Sequence, residues 1–407
     1  MVKVKIERLN DQLEGVGNIN GKIVFVPKAK VGEEVEVNIT LENSKYLRGE
    51  VISNITSDCP YFNKCGGCFL RNYFYEESLK IKEENIKNLF NKNKLDVPSF
   101  NVIKNPNPYN YRNKISLKVV NKKIGFYQDK SNDLVEVSNC LIAKDAINKL
   151  LPELNKIGIS NGFIIVRCNY NDELLIIIDT DDKIDYDFAK LKDNHKIAGV
   201  IINKRCVLNN DYFFDKINNH LFKVSYNSFF QVNNLVAGEI FNIIENNIDE
   251  NDEVLDLYSG VGTLSITAAN KAKHVIGVEM VPNAVKNALI NKDVNKINNV
   301  DFMLGDVPKV ISNIKNNIDT IIFDPPRKGL DTFTINYTLN KLPNKIIYVS
   351  CNPITLVRDL KLLNDKYIIK EVNILDMFSY SYHAETVCIL ERKNWNEQLF
   401  YNTWKFW

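Results

Sequence analysis

Three cysteines stand within ten residues of one another, Cys59, Cys65 and Cys68. Thiolates are soft ligands, so this spacing, completed by a fourth donor, suits a four-cysteine zinc site or an iron–sulfur cluster, and the spacing leaves both open. The chain holds eight cysteines in 407 residues. Its first ten residues, MVKVKIERLN, carry charge but no apolar signal core, so a cytoplasmic protein is expected, with thiols kept reduced for metal or catalytic use. No run approaches the roughly 18 apolar residues that a membrane span needs.

A second set of chemically able residues falls at the ends of strand-like runs. Asp256-Leu-Tyr-Ser-Gly-Val-Gly262 closes the run EVLDLYSG, Glu279 ends HVIGVEM, Asp306 ends VDFMLGD, and Asp324-Pro-Pro-Arg327 ends DTIIFDPP. In open α/β sheets ligands sit beyond the carboxyl ends of the strands, and glycines there let backbone approach a ligand closely. An acid one strand beyond the glycine loop suits the two hydroxyls of a ribose. The loop lacks the full dinucleotide spacing and a Walker-type lysine, so S-adenosylmethionine, which has no phosphate, fits better than a pyrophosphate or triphosphate. Each acid alone would be read as a helix cap; four in succession point to a nucleoside pocket.

Three units are expected to position these residues, since 407 residues exceed what one core usually organises. Residues 1–56 read as short strands with an Asn20-Gly21 turn; Val35, Val37, Ile39 and Leu41 alternate with polar residues, which predicts a small β-barrel. Its eight basic and eight acidic residues leave RNA contact and a plain structural module both open. Residues 57–218 hold the cysteines, an amphipathic surface helix near Glu76–Lys92 with Leu79, Ile86, Leu89 and Phe90 on one face, and recurrent strands from Tyr111 to about Asp215. Net charge is +2, yet residues 58–130 carry 14 Lys and Arg against 7 Asp and Glu, a local excess that can neutralise phosphates or merely solvate a face. Residues 219–407 alternate strands and helices, the pattern of a doubly wound α/β sheet.

Read in order, the barrel, the Cys59–Cys68 run, YRNKISL at Tyr111, SFFQVN at Ser228, DLYSGVG, DPPRKGL at Asp324, YVSCNPITLVRDL at Tyr348 and HAETV at His383 resemble the RNA (uracil-5-)-methyltransferase family. The likeness spans nearly the whole chain and is nearest to the ribosomal RNA members with a TRAM barrel and an iron–sulfur cluster. It implies a Rossmann-like methyltransferase domain behind an OB-like TRAM barrel and a central cluster-bearing domain. By the same resemblance Gln231, Tyr258, Thr263, Glu279, Asp306 and Asp324 contact S-adenosylmethionine, Cys351 is the nucleophile and Glu385 the base. Cys59, Cys65 and Cys68, with Cys140 of SNCLIA as fourth ligand, would hold a [4Fe–4S] cluster, while Cys168 and Cys206 read as core. Thr263 stands where the family commonly has Asn, and Ser379 and Ser381 replace an expected Pro and Thr.

Cys351 ends the run KIIYVS beside the Asp324 loop, so its sulfur can face the cofactor crevice, whereas Cys388 sits within a run and reads as inert. His383 is either a helper or a structural hydrogen-bonder. The resemblance implies a monomer that methylates carbon 5 of a uridine in RNA, 23S rRNA before tRNA. Arg327 stands where amino-methyltransferases place a stacking aromatic, and YVSCNP resembles the uracil enzymes more than the cytosine ones. A non-catalytic RNA-binding assembly factor is the alternative of another class; Cys351 and Glu385 together speak against it.

Overall fold

The computed structural model describes residues 1–52, 55–129 and 131–393. The run RGEVISNI and the expected last unit each extend into residues outside that description. No helix of the described residues is long and apolar enough to cross a membrane.

Six strands form the N-terminal sheet, in the order Val2–Lys5, Glu34–Glu42, Tyr46–Val51, Lys22–Val26, Gly15–Ile19, Arg8–Leu9. The hairpin between Gly15–Ile19 and Lys22–Val26 turns at Asn20 and Gly21, both at positive φ (50° and 84°), as a two-residue turn matched to strand twist requires. Val35 and Val37 join Val4, Ile6, Val24 and Val26 in the barrel core. The expected alternation stops there: a register shift between Ile39 and Leu41 leaves Leu41 46% exposed, because a bulge reverses which face the following side chains meet.

A second sheet of seven strands spans residues 114–209, in the order Leu134–Glu136, Lys123–Tyr127, Lys114–Val120, Asn161–Cys168, Leu174–Asp179, Ile197–Ile202, Arg205–Asn209. Helix Asp145–Leu154 lays Ile147, Leu150, Leu151 and Leu154 against it. Cys168 is buried there, as read from its run, but Cys206 is exposed. The reason is its place on the edge strand Arg205–Asn209, whose other side has no partner strand among the described residues.

The third sheet has eight strands in the order Val300–Leu304, His274–Glu279, Glu253–Leu257, Thr320–Phe323, Lys345–Ser350, Glu385–Arg392, Tyr367–Leu375, Phe100–Ile103. The first five run parallel and Glu385–Arg392 is antiparallel to both neighbours. Apolar cores cover both faces, which explains why these strands read as continuous Val/Ile/Leu runs. The expected division at residue 219 is one of pattern, not of packing. Strand Phe100–Ile103 pairs with Tyr367–Leu375, and Ile86, Phe90 and Leu95 belong to the core of this last sheet.

Helix Tyr75–Lys92 is the expected amphipathic helix, and its apolar face packs against the third sheet. Its buried stripe contains Lys82 as well as Leu79, Ile86 and Phe90. Lys82 Nζ donates to Asp376 Oδ1 at 2.6 Å and to the Phe378 carbonyl at 2.9 Å, with both charged side chains at most 3% exposed. Asp376 also accepts from Tyr75 Oη (2.8 Å) and Ser379 Oγ (2.6 Å). This network fixes the turn that leads to His383 and Glu385. Replacing one partner of a buried ion pair leaves the other charge unpaired, so Lys82→Met is expected to lower unfolding free energy by about 3–5 kcal/mol, read from denaturant midpoints; a change below about 1 kcal/mol would show that the pair does not hold this packing.

Candidate active site and cysteine-lined cavity

The crevice lies where strand order reverses, between Glu253–Leu257 and Thr320–Phe323. Tyr258 leaves the first strand at φ 68° and Gly260 and Gly262 follow at 57° and 83°. A Cβ on Gly262 would come within 2.7 Å of the Phe302 ring, so glycine is required for this loop to lie so close to strand Val300–Leu304. Glu279 accepts from the backbone N–H of Gly260 (3.0 Å) and of Val281 (2.7 Å), one on each carboxylate oxygen. Each oxygen keeps a lone pair, enough for two hydroxyl donors. Asp306 occupies the N-cap position of helix Val307–Ile311 yet makes no side-chain cap bond, so capping does not account for it. The Tyr258 hydroxyl donates to Asp331 at 3.4 Å, with Asp306 an electrostatic neighbour.

Asp256 is fully buried, accepts from Ser265 Oγ, and leaves its other carboxylate oxygen without a partner. Burial pushes its carboxyl up to about 7, with Asp324 and Glu279 among its charged neighbours. Asp256, Glu279 and Asp324 thus lie within electrostatic reach of one another at neighbouring strand ends. Thr263 opens helix Thr263–Ala269, and Gln231 is buried on the loop before helix Asn234–Asn246. That loop is held from the second sheet: Asn113 Nδ2 donates to the Gln231 carbonyl at 2.9 Å, and buried Arg167 donates to the carbonyls of Ser225 (3.0 Å) and Ser228 (2.9 Å). Neither Arg167 nor Asn113 stood out as a site residue; Asn113 lies within the YRNKISL motif, the one signal that could have drawn attention to it.

Cys351 follows strand Lys345–Ser350, whose last residue pairs with Thr386 of strand Glu385–Arg392. Antiparallel pairing therefore sets Cys351 opposite Glu385, and Asp324 ends the adjacent parallel strand. Burial pushes the Cys351 thiol up to about 11; Glu385 and Asp324 push the same way, and Arg327 opposes them by charge and by a hydrogen bond. Glu385, 4% exposed, is raised well above the ordinary carboxylate range by burial and by Asp324. Asp324 is raised by burial to about 7. Arg327 is the cation common to this group. His383 Nε2 lies 3.3 Å from Arg327 Nη2, and burial, with Arg327 next, lowers the imidazole to about 4. A guanidinium has no acceptor, so a neutral His383 must accept through Nε2. Ser381 Oγ accepts from the His383 N–H (3.1 Å) and donates to the Phe378 carbonyl (2.9 Å). The two serines that depart from the family pattern thus build the turn before Glu385.

Cys59, Cys65, Cys68 and Cys140 line one cavity of about 570 Å³, which also reaches Arg327 and His383. All four thiols are free. Burial raises those of Cys59, Cys65 and Cys68, the last to about 12, and each feels the charge of Cys140. The barrel steadies this segment: Lys28 Nζ donates to the carbonyls of Phe62 (2.6 Å) and Cys65 (2.8 Å). Arg71, paired with Asp58 at 2.7 Å, leaves buried Nη1 without a partner beside the cysteines. Among the described residues no three His, Cys, Asp or Glu side chains form a group that could hold a metal ion as they stand. The donors agree with a thiolate-bound group in type and number, and the orphaned Arg71 N–H agrees with an anionic occupant, but the side chains are not drawn together around a single ion.

Residues 309–393 match the family model described as tRNA (Uracil-5-)-methyltransferase, residues 1–52 the TRAM domain, and residues 220–336 the TRM5/TYW2 methyltransferase domain. The chain is 34% identical to an RNA methyltransferase of Clostridium tetani, covering 93% of each chain, and 29% identical to one of Halalkalibacterium halodurans, covering 97% of each. Among solved structures, the tRNA (uracil-54, C5)-methyltransferase of Pyrococcus abyssi, in complex with S-adenosyl-L-homocysteine, shares the fold at a TM-score of 0.78 and 23% identity over 96% of this chain and 100% of that one. A full-length relative at this identity, a TRAM match on the barrel and a uracil-5 match on the strands bearing Cys351 and Glu385 agree with one another: the chain belongs to the RNA (uracil-5-)-methyltransferase family and is an RNA methyltransferase.

Proposed function

We propose that this enzyme transfers a methyl group from S-adenosylmethionine to carbon 5 of a uridine in 23S rRNA, with Cys351 as covalent nucleophile and Glu385 as base. The observation that carries the reading is the strand pairing that brings Cys351 opposite Glu385, with Asp324 and Arg327 as their charged neighbours.

Carbon 5 of uracil is too weak a nucleophile to take a methyl group unaided. Cys351 gives up its proton to solvent and adds as the thiolate through Sγ to carbon 6, which turns the ring into an enolate with charge shared onto carbon 5. The cofactor, when bound, supplies an electrophilic methyl on a positively charged sulfur, with Gln231, Tyr258, Thr263, Glu279, Asp306 and Asp324 holding it in the crevice. Carbon 5 takes the methyl and keeps its proton. Glu385 then removes that proton, the C5=C6 double bond re-forms, and the carbon–sulfur bond breaks to release Cys351. A buried carboxylate of raised pKa is a stronger base than an exposed one, which suits Glu385 to this task. Arg327 offsets the charge of the thiolate, and neutral His383 holds Arg327 without adding a second positive charge. The uridine must leave its stack to reach both groups, which favours a loop or single-stranded site.

The barrel at 1–56 and the basic unit at 57–218 hold the RNA, and 219–407 performs the transfer. The combination of TRAM barrel and four cysteines favours 23S rRNA. A tRNA substrate is the second reading, favoured by the description of the matched family model. Mapping 5-methyluridine by mass spectrometry in ribosomal and transfer RNA from a deletion strain separates them: loss from 23S rRNA alone supports the first, loss from tRNA the second.

Cys59, Cys65, Cys68 and Cys140 are proposed to hold a [4Fe–4S] cluster of structural role. Anaerobically purified protein is expected to be brown with about four irons per chain; colourless protein with zinc and no iron would refute it. Removing the charged acceptor in Glu279→Ala should weaken cofactor binding by about 1.5–3 kcal/mol, about tenfold or more, by calorimetry, and affinity within twofold of wild type would remove Glu279 from the site. Cys351→Ala should abolish both methylation and covalent protein–RNA complex. Glu385→Gln should still methylate yet accumulate the complex, with release slowed roughly 10²–10⁴-fold. Methylation by Cys351→Ala near the wild-type rate would sink the mechanism.

A further inference from the structure

The barrel reaches the nucleophile through a single loop. Asp11 and Gln12, between strands Arg8–Leu9 and Gly15–Ile19, line a cavity of about 210 Å³ whose lining also includes Cys351, Asn352, Arg327 and His383. That is the liquid volume of about seven water molecules, room for a pyrimidine ring. The loop is held on both sides. Asn10 Oδ1 accepts from the N–H groups of Gln12 and Glu14, each at 2.9 Å, and Leu13 is buried at φ 58°. Glu14 pairs with Arg48 of the barrel. From the other side helix Tyr75–Lys92 grips Asp11: Asn85 Nδ2 donates to its carbonyl (3.2 Å) and Lys92 Nζ to its carboxylate (3.0 Å).

The loop is thus docked from both sides, and its side chains at Asn10, Asp11 and Glu14 are all engaged in that docking. The side-chain amide of Gln12 is exposed and, among the described residues, makes no hydrogen bond. An amide offers one donor group and one acceptor. Uracil presents the complement on adjacent atoms, a carbonyl at C4 and an N–H at N3.

The geometry points to Gln12 as a residue of the TRAM barrel that hydrogen-bonds the target uracil in the cavity beside Cys351. This rests on the reading of Cys351 as the uridine nucleophile. It gives the barrel a part in forming the active site, beyond holding RNA at a distance. Wild-type enzyme, Gln12→Ala and Gln12→Glu are compared on one substrate RNA, measuring kcat and KM, S-adenosylmethionine affinity and melting temperature. Gln12→Ala is expected to lower kcat/KM for RNA about tenfold or more, carried in KM, with cofactor affinity and melting temperature unchanged. Gln12→Glu keeps the length of the side chain but loses its donor, and is expected to do no better. A Gln12→Ala enzyme with kcat/KM within twofold of wild type overturns the assignment, as does an equal fall in cofactor affinity. Failure of the wild type to methylate uridine in any RNA would instead overturn the functional reading, so the two failures are distinct.

Discussion

Three acidic groups, Cys351, Glu385 and Asp324, meet at neighbouring strand ends, and one guanidinium, that of the exposed Arg327, offsets the charge of Cys351 and Glu385. Like charges so placed cannot all ionise, so the protons on these groups titrate as a set. Burial raises the carboxyl of Glu385 and the thiol of Cys351 alike, and Arg327 opposes both shifts. His383, held neutral, orients Arg327 without loosening this balance.

The rest of the fold maintains that crowding. Parallel pairing sets Asp324 beside the Cys351 strand, and antiparallel pairing brings Glu385 across from it. The turn into Glu385 would otherwise be long and unsupported. Lys82, Tyr75 and Ser379 converge on Asp376 to fix it, which is why a helix distant in sequence belongs to the catalytic sheet. Arg327 and His383 also form a wall common to the cysteine cavity and the Cys351 cavity. A structural group among the cysteines would therefore bear directly on the wall that orients Arg327.

Much of this was legible in the sequence because the chemistry lies in contiguous motifs at strand ends. The order of strands and helices from Glu253 to Ser350, the barrel with its Asn20-Gly21 turn, and the strand-end places of Glu279, Asp324, Cys351 and Glu385 could all be read from local pattern. What could not be read depends on partners remote in the chain. Lys82 looks like one more solvated charge until Asp376, 294 residues away, accounts for its burial. Strand Phe100–Ile103 reads as part of the middle unit until its pairing with Tyr367–Leu375 is seen. Leu41 and Cys206 misled for a related reason: a bulge and an edge position change exposure without changing the alternation of residue types.

The claim at the centre of this account is a covalent bond between Cys351 and carbon 6 of the target base. An RNA carrying 5-fluorouridine at the target tests it most directly, because fluorine at carbon 5 cannot leave as a proton and the adduct cannot be eliminated. Incubated with S-adenosylmethionine and digested, the complex should yield one cross-linked peptide containing Cys351, its mass increased by the nucleotide and one methyl group. Turnover of the unmodified RNA with no adduct on the fluorinated one, or an adduct on a different cysteine, would contradict the account.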